Sequence, residues 1–248
     1  MKLSVIIPVY NEESTISQVI DKVREVELPL DREIIVVDDG STDHTADILA
    51  RRQNDVTFVH FSRINFGKGA AIRVGLTYVT GDIVIIQDAD LELDPNEYRL
   101  LLEPILAGQA KVVYGSRFLK PNPNIRRRTL LANKFLTWVT NLLYGSHLTD
   151  METAYKAFKA DVIAGIKLDC HRFEFEPEVT GKLLRQGHAI KEVPISYNPR
   201  TEEEGKKIGW RDGYTAIWTL FKYRLADRST ASPTRKAPKP ISVSDVEG

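Results

Sequence analysis

Two aspartates separated by one residue follow an apolar stretch of the chain. Asp88 and Asp90 come shortly after residues 83–86, and Glu92 lies two residues further on. Carboxylates at the end of a buried strand are costly unless a cation or hydrogen-bond donors neutralise them. Oxygen ligands of this kind suit Mg²⁺ or Mn²⁺, which share their remaining coordination with water and substrate phosphates. The spacing predicts a metal–diphosphate site, with a solvated acidic turn as the alternative.

Polar clusters also end two other apolar segments, at residues 8–12 and 38–43. The carboxyl ends of parallel strands meet at one edge of a sheet, and ligands bind at that edge in open α/β sheets. We therefore expect these clusters to converge with the one at residues 88–92, although they are far apart in sequence.

A third candidate is the glycine-bearing turn at residues 65–69, which contains Gly67 and Gly69. Glycines at a strand-to-helix turn allow a ligand to approach the backbone at a helix N-terminus. The segment matches neither the Walker A motif nor the dinucleotide fingerprint, so a dinucleotide cofactor is disfavoured. An ordinary turn is the alternative.

Apolar runs of strand length alternate with helical periodicity through the first half of the chain, which is typical of βαβ units and a largely parallel sheet. Strands are predicted at residues 3–9, 33–37, 56–61, 82–86 and 111–114. Asn11 is expected to cap the first helix, Thr42 or Asp43 the second, and Asp94 with Pro95 to begin another. The less regular second half predicts helices at 129–144, 174–186 and 211–225 and an edge strand at 188–197. The fold class is therefore α/β.

The 248 residues, 42% hydrophobic and 27% charged, are typical of one large globular domain. We expect residues 1–226 to form the domain and the polar residues 227–248 to be a disordered tail. The lone Cys170 excludes an internal disulfide. No apolar run is long enough for a transmembrane helix or a signal peptide, so a cytoplasmic protein is expected, with peripheral contact to a membrane as a possibility.

Charge is balanced overall, with 34 basic and 34 acidic side chains, but it is unevenly distributed. Residues 1–103 hold 10 basic and 19 acidic side chains, whereas residues 104–149 hold 7 basic and no acidic ones. The middle segment should therefore bind an anion.

Taken in order, these motifs resemble the inverting glycosyltransferases of family 2, and among them the dolichyl-phosphate and polyprenyl-phosphate sugar transferases. The resemblance covers residues 3–225. It rests on seven segments, at residues 5–12, 36–43, 65–69, 87–92, 114–117, 149–153 and 174–178.

The resemblance implies a GT-A fold, which is a Rossmann-like, mostly parallel sheet flanked by helices with a smaller acceptor-side subregion. It also implies a UDP- or GDP-linked sugar donor and Mg²⁺ or Mn²⁺. By that analogy the base and ribose contact Pro8, Tyr10, Glu12 and Asp39. Gly67, Lys68 and Ala89 join the donor site, and Asp88, Asp90 and Glu92 bind the metal and diphosphate, with Asp90 in a catalytic role.

The implied acceptor is a polyprenyl phosphate, either dolichyl or undecaprenyl. Arg117 is the first candidate to hold its phosphate, with one of Arg126, Arg127 and Arg128 as a second contact, because guanidinium groups bind phosphate at two points. A solvated basic turn is the alternative for the triplet. An acceptor hydroxyl would instead need a general base, for which Asp150 and Glu174 are the candidates.

Two further segments could serve the reaction. The loop at residues 200–209 could close over the donor, with Arg200 or Lys206 reaching the diphosphate. Residues 126–144 combine basic residues with Trp138 and Tyr144, as in helices that lie in the headgroup plane of a membrane. A plain solvated loop and a core or dimer helix are the respective alternatives.

Three rival functions are open to test. A soluble family 2 enzyme would add sugar to a glycan or small-molecule hydroxyl, and would share the donor half of the site. A sugar nucleotidyltransferase would need a glycine-rich N-terminal loop, which residues 8–13 lack. An RNA-binding protein could use the basic segment 111–134, but no aromatic RNA motif accompanies it, so no nucleic-acid partner is expected. The sugar, the base and the oligomeric state are left open.

Overall fold

The computed structural model describes residues 1–172, 174–200 and 210–225. Its strands are β1 (Lys2–Val9), β2 (Asp31–Asp38), β3 (Phe58–Phe61), β4 (Ile83–Ile86), β5 (Val112–Ser116), β6 (Lys156–Lys159) and β7 (Ile190–Pro194). Its α-helices are α1 (Ile16–Glu25), α2 (Thr45–Arg51), α3 (Lys68–Thr77), α4 (Tyr98–Leu106), α5 (Arg127–Tyr144), α6 (Ala160–Ala164), α7 (Phe175–Arg185) and α8 (Trp210–Leu225).

The strands form one sheet in the order β3-β2-β1-β4-β6-β5-β7. All neighbouring pairs are parallel except those of β6, which runs antiparallel to β4 and β5. The predicted α/β class and mostly parallel sheet are confirmed. The sequence patterns gave no sign of β6, and β7 is shorter than the predicted strand at 188–197.

Both faces of the sheet are covered, as a parallel sheet requires. In β1, Leu3, Val5 and Ile7 pack on the side of α1 and α4, whereas Ile6 packs on the side of α3 and α7. The strand is buried throughout this run because each successive side chain meets a helical layer. This double burial explains the continuous apolar sequence of β1.

The first turn differs from its prediction. Helix α1 begins at Ile16 and not near Asn11, so the predicted Asn11 cap is wrong. Asn11 instead has a left-handed backbone, with φ of 53°, and its side-chain oxygen accepts a hydrogen bond from the Thr42 amide at 2.8 Å. Asparagine tolerates this conformation better than most residues. Asn11 therefore joins the turn after β1 to the turn after β2.

Helices α5 and α8 pack together at one end of the molecule. Leu136 and Val139 of α5 share a small apolar core with Ala216 and Leu220 of α8. The predicted tail at 227–248 and most of the predicted loop at 200–209 lie outside the described residues. Among the helices that the structure describes, none is both long and apolar enough to cross a membrane.

Candidate active site

The turns after β1 and β2 are bonded to each other at the carboxyl edge of the sheet. The Asn11 amide donates to Ser41 Oγ at 2.9 Å, and the Glu12 amide donates to Thr45 Oγ1 at 2.9 Å. These bonds fix the position of Glu12 and the residues around it. Two of the three predicted polar clusters therefore meet in space.

Asp39 links these turns to the glycine turn after β3. Its Oδ1 accepts from the Phe66 amide at 3.0 Å, and its Oδ2 accepts from the Gly67 amide at 2.6 Å. Burial raises the pKa of Asp39, and the two amides oppose that shift. Asp39 therefore positions the glycine turn, while its contact with a nucleoside stays a prediction.

Another segment of the chain, residues 171–172, packs closely against the backbone of this turn. The Gly69 amide donates to the Arg172 carbonyl at 3.0 Å, and the Ala70 amide donates to the His171 carbonyl at 2.9 Å. Gly67 has φ of 101°, and a Cβ there would lie 2.5 Å from the His171 oxygen. Residues 171–172 thus fill the space on the Cβ side of Gly67, and contact of its backbone with a ligand stays a prediction.

Lys68 lies beside the first aspartate of the pair. Its Nζ is 2.7 Å from Asp88 Oδ1 and 3.0 Å from Glu176 Oε1 of α7. Burial alone would lower the pKa of Lys68, but the two carboxylates outweigh burial and raise it above its usual value. Lys68 is therefore a fixed cation at the predicted donor site.

Asp90 is a partly buried carboxyl at this edge, next to two other acidic residues. Burial raises its pKa to about 7, and the negative charges of Asp88 and Glu92 add to the shift. A divalent cation would lower the electrostatic energy of this group. Within the part of the chain that the structure describes, no three His, Cys, Asp or Glu side chains are grouped to hold a metal. Asp88 and Asp90 are the two carboxylates of this turn that could hold an ion, with diphosphate and water completing its coordination.

Glu92 has a different role from the predicted metal ligand. Its Oε2 accepts from the Tyr197 hydroxyl at 2.8 Å, and its Oε1 accepts from the Arg200 amide at 2.8 Å. Its carbonyl accepts from the Asn198 amide at 3.0 Å. Glu92 thus holds the segment after β7 against the turn after β4, which is a structural use of the carboxylate.

Arg200 contacts the turns after β1 and β4 through protein groups, and its contact with the diphosphate stays a prediction. We call the turns after β1, β2, β3 and β4 the donor turns. Its two terminal nitrogens bind the carboxylate of Glu12 at 3.1 and 2.6 Å, and its Nε donates to the Asp90 carbonyl at 3.1 Å. Arg200 therefore bridges the turns after β1 and β4. Lys206 and the rest of the predicted lid, residues 201–209, lie outside the described residues.

Three more residues predicted for the donor site lie at the same edge. Pro8 is buried near the end of β1, and Tyr10 follows it half-buried. Ala89 is buried between the two aspartates, and its carbonyl accepts from the Thr15 hydroxyl at 2.7 Å. Because β1 and β4 are neighbours, these residues face one another across the switch in strand order, where α/β sheets bind ligands.

Arg117 and Asp150 form a buried ion pair. Nε and Nη2 of Arg117 each lie 2.7 Å from a different oxygen of Asp150, and the Arg117 amide donates to the same carboxylate at 3.0 Å. Asp150 is fully buried, and the Arg117 guanidinium also lies over the Tyr197 ring. Since Asp150 is neutralised in this way, its predicted role as a general base is not supported.

The other candidate base is also engaged. The two carboxylate oxygens of Glu174 accept from the amides of His171 and Arg172, at 2.8 and 3.1 Å. These bonds lower the pKa of Glu174 although burial opposes them. Glu174 thus orders the turn before α7.

A cavity of about 100 Å³ lies between the donor turns and the start of α5. Arg126, Thr129, Tyr197 and Arg200 are among the residues that line it. A water molecule occupies about 30 Å³ in the liquid, so the cavity has room for a small polar group. Arg126, one of the predicted acceptor arginines, thus lies beside Arg200 in the cavity wall, and Arg126, Arg127 and Arg128 are all exposed.

Sequence reasoning did not single out three charged residues behind the site. Glu176 pairs with Lys68, and Lys156 is fully buried on β6, where its Nζ donates to the Met151 carbonyl at 2.9 Å. Glu152 has a raised pKa because of burial and the charge of Glu176, and its Oε1 has no hydrogen-bond partner in the described structure. The sequence gave one signal for these three residues, which is their position within or beside the motifs that resemble family 2.

A family model for glycosyl transferase family 2 matches residues 4–166, which is more than half of the chain. The chain belongs to glycosyltransferase family 2. This confirms the family that the motifs indicated, and the donor turns described above all lie within the matched residues. Arg200 and α8 lie beyond them.

Curated relatives of this family 2 member include two bacterial proteins. The undecaprenyl-phosphate 4-deoxy-4-formamido-L-arabinose transferase of Edwardsiella ictaluri is 31% identical over 82% of this chain. The chain spans only 62% of that protein's length. The undecaprenyl-phosphate mannosyltransferase of Micrococcus luteus is 29% identical, over 92% of this chain and 96% of its own.

Solved structures share the fold. Glucosyl-3-phosphoglycerate synthase from Mycobacterium tuberculosis, in complex with Mn²⁺, UDP and glucosyl-3-phosphoglycerate, superposes with a TM-score of 0.71. It is 22% identical, and the match covers 92% of this chain and 81% of the synthase chain. A complex of the same synthase with Mg²⁺ and UDP gives a TM-score of 0.69 at 23% identity. The predicted GT-A architecture is therefore confirmed at the level of the fold.

Proposed function

We propose that this family 2 member transfers a sugar from a nucleoside diphosphate sugar to a polyprenyl phosphate. The donor half of the proposal depends on one observation, the arrangement of Asp88 and Asp90 with Lys68 and Arg200 at the switch in strand order. The acceptor half is supported by relatives whose names specify undecaprenyl phosphate.

We assign Mg²⁺ or Mn²⁺ to the carboxylates of Asp88 and Asp90. The raised pKa of Asp90 marks a site where a cation is favourable, and crystals of the fold neighbour contain these ions with UDP. When bound, the ion would neutralise charge on the departing diphosphate. Glu92 is not part of this assignment, because Tyr197 and Arg200 occupy its oxygens.

Lys68 and Arg200 supply fixed positive charge at the donor turns. Lys68 is held by Asp88 and Glu176, and Arg200 is held by Glu12. Because their positions are set by the protein, little reorganisation is needed when charge develops on the leaving nucleoside diphosphate. Pro8, Tyr10, Glu12, Asp39, Gly67 and Ala89 form the edge against which we place the nucleoside.

A phosphate acceptor explains why the candidate bases are occupied. A phosphate oxygen is ionised near neutral pH and needs no general base, whereas a hydroxyl does. Asp150 is neutralised by Arg117, and Glu174 accepts from two backbone amides. We therefore propose a single displacement, in which the phosphate oxygen bonds to the anomeric carbon, the nucleoside diphosphate leaves, and the configuration inverts.

We place the acceptor phosphate in the cavity lined by Arg126 and Arg200. Arg117 is not among the residues that line the cavity, and two of its nitrogens are committed to Asp150. Arg126 thus replaces Arg117 as the first candidate for direct phosphate contact, with Arg127 and Arg128 on the exposed side. A guanidinium group suits this role through two-point contact with phosphate oxygens.

An acceptor hydroxyl is the second candidate, favoured by Glu152. Its raised pKa and its unpartnered Oε1 are properties of a general base or acid. The fold neighbour has also been crystallised with UDP-glucose and phosphoglyceric acid. The family membership favours either enzyme over the RNA-binding alternative.

A lipid acceptor requires the protein to reach a membrane surface. Residues 126–144 begin beside the cavity and comprise α5 and the residue before it, so they are the segment we assign to this contact. The cytoplasmic, peripheral location stays a prediction.

The direct test uses radiolabelled UDP- and GDP-sugars with Mn²⁺ and either undecaprenyl phosphate or water-soluble sugars as acceptors. We expect label to enter the organic phase only when undecaprenyl phosphate and the metal are both present. Transfer to water-soluble acceptors alone would replace the lipid proposal with the hydroxyl one. Loss of transfer in Asp90→Asn, with the fold retained, connects the product to the proposed site.

A further inference from the structure

One carboxyl group at the candidate site differs from the others in its contacts. The Oε1 atom of Glu152 is shielded from solvent and has no hydrogen-bond partner among the described residues. Leaving a buried oxygen unpaired costs free energy, so such an atom needs an explanation. The other carboxylates of the site accept hydrogen bonds or form ion pairs within the chain, and they include Glu12, Asp39, Asp88, Glu92, Asp150 and Glu176.

Within the described part of the chain, Glu178 is the one other residue with a buried side-chain oxygen or nitrogen that lacks a partner. Its Oε1 accepts from the Asp169 amide at 2.7 Å and pairs with Lys182, although its Oε2 is unpaired. Glu178 thus has a structural use that accounts for its position. The described contacts of Glu152 show no such use.

The backbone on both sides of Glu152 is held firmly. The Met151 amide donates to Thr137 Oγ1 at 3.1 Å. The fully buried Lys156 of β6 donates through Nζ to the carbonyls of Met151 and Thr153. The chain therefore fixes the peptide groups that carry Glu152 and leaves one of its carboxyl oxygens unpaired, which is typical of a side chain positioned for a ligand.

Charged groups from both halves of the proposed site act on Glu152. Burial raises its pKa to about 8, and the negative charge of Glu176 adds to the shift. The positive charges of Lys156 and Arg117 oppose it. Glu176 is bonded to Lys68 at the donor turns, whereas Arg117 belongs to the buried ion pair on the proposed acceptor side. Because electrostatic interactions weaken with distance, the carboxyl group of Glu152 lies near both halves.

The transferred sugar is expected in the same region. In a single displacement, the anomeric carbon lies between the departing diphosphate and the attacking phosphate oxygen, so the sugar occupies the space between the two halves. Sugar hydroxyl groups donate hydrogen bonds, and a carboxyl oxygen without a partner can accept one. We propose that Oε1 of Glu152 accepts a hydrogen bond from a hydroxyl group of the transferred sugar. This sugar contact rests on the proposed function, and it makes Glu152 a specificity-determining residue.

A site that pairs a sugar hydroxyl discriminates against sugars that lack it. Without that hydroxyl, Oε1 of Glu152 would stay buried and unpaired in the complex, which costs binding free energy. The alternative role of Glu152, a general base for an acceptor hydroxyl, predicts no such discrimination, because a base of this kind contacts the acceptor and not the sugar.

The test measures binding of nucleotide sugars to the full chain by titration calorimetry with Mn²⁺ present. The ligands are UDP, GDP, UDP-glucose, UDP-galactose and GDP-mannose, followed by the monodeoxy analogues of the nucleotide sugar that binds most tightly. We expect the wild type to bind one of these analogues roughly tenfold more weakly than the parent sugar nucleotide. In Glu152→Ala, parent and analogue should bind equally, while the free nucleoside diphosphate should bind within about twofold of its wild-type affinity.

Two further variants sharpen the comparison. Glu152→Gln keeps an acceptor oxygen and removes the ionisable group, so it should reduce the tenfold ratio to about threefold. This variant decides the outcome where Glu152→Ala does not fold. Glu178→Gln changes the other carboxyl group that has an unpaired oxygen, and it is the matched control. It should discriminate between parent and analogue like the wild type.

Other outcomes overturn the sugar contact. Full discrimination in Glu152→Ala would show that another residue contacts the hydroxyl, and loss of transfer in that variant would then make Glu152 a general base. Equal weakening of the nucleotide sugar, its analogue and the free nucleoside diphosphate would assign Glu152 a structural role. A wild type that discriminates against none of the analogues would also refute the contact. In each of these cases the wild type still binds nucleotide sugars, so the proposed function stands, whereas a wild type that binds none of them would refute both.

Discussion

The donor side and the acceptor side hold their charged groups in different ways. On the donor side, Asp39 accepts from two amides, Asp88 pairs with Lys68, and Glu12 pairs with Arg200. On the proposed acceptor side the Arg117–Asp150 pair is buried, and the basic residues of α5, Arg127, Arg128 and Lys134, are exposed. The charged groups of the proposed donor side are thus paired within the chain, whereas the basic side chains of α5 are exposed to solvent.

The largest effect on stability is expected for the buried Arg117–Asp150 pair. Arg117→Ala leaves Asp150 as an unpaired charge in the interior, which should lower the free energy of unfolding by about 3–5 kcal/mol. Chemical denaturation measures this change. Arg117→Ala combined with Asp150→Ala should recover part of the loss, because no charge is then stranded. An equal or larger loss in the double variant would show that the pair does not act as a unit.

Asp90→Asn tests the donor side without disturbing its fold. The substitution removes one carboxylate of the proposed metal site, and the several kcal/mol that a metal contributes to transition-state stabilisation correspond to a rate loss of about a hundredfold or more. Melting should be unchanged or slightly improved, because a buried carboxyl with a raised pKa is replaced by a neutral group. Asp94→Asn, which alters a turn before α4, should keep most activity. Comparable rates for Asp90→Asn and the wild type would refute the metal assignment.

Arg126→Gln tests whether binding of the acceptor can be weakened without a change in binding of the donor. Loss of a charged hydrogen-bond donor to phosphate should raise the KM for polyprenyl phosphate roughly tenfold and leave the KM for the nucleotide sugar unchanged. Initial rates with the acceptor presented in detergent micelles measure both constants. Lys120→Gln, an exposed basic residue of the same segment, is the control. A raised KM for the nucleotide sugar instead would show that Arg126 contributes to donor binding and not to acceptor binding.

The smallest effect concerns Glu152 and depends on pH. Its pKa is raised to about 8 in the folded protein, from 4.5, chiefly by burial. A carboxyl whose folded pKa is raised contributes stability below about pH 4.5, and this contribution is lost as the pH rises through about 8. Glu152→Gln should therefore raise the melting temperature at pH 9 and have little effect at pH 5, because the glutamine carries no charge that must be buried at the higher pH. Thermal melts at the two pH values test this, with exposed Glu103→Gln as the control, and an equal change at both would contradict a buried carboxyl.

The donor side was predictable because its polar residues follow apolar strands. A buried strand such as β4 has no packing use for Asp88 and Asp90 at its end, so their position indicates a ligand. The partners of these residues were not predictable. Glu176 lies 88 residues beyond Asp88, and only the packing of α7 against the sheet brings it to Lys68.

The acceptor side was harder to predict from the sequence, for a physical reason. Lys156 interrupts the apolar pattern of β6, so its buried position and the antiparallel strand were both missed. Arg117 has the residue type of a phosphate ligand, but its commitment to Asp150 depends on a contact 33 residues away. Charge type alone does not distinguish an arginine that binds a substrate from one that neutralises a neighbour.

The proposed metal site is tested most directly by crystals of the protein soaked with Mn²⁺ and UDP or GDP. We expect an anomalous manganese peak within about 2.5 Å of carboxylate oxygens of both Asp88 and Asp90, in contact with the diphosphate. A peak on Glu92 instead, or a diphosphate bound away from these two aspartates, would contradict the proposed donor site.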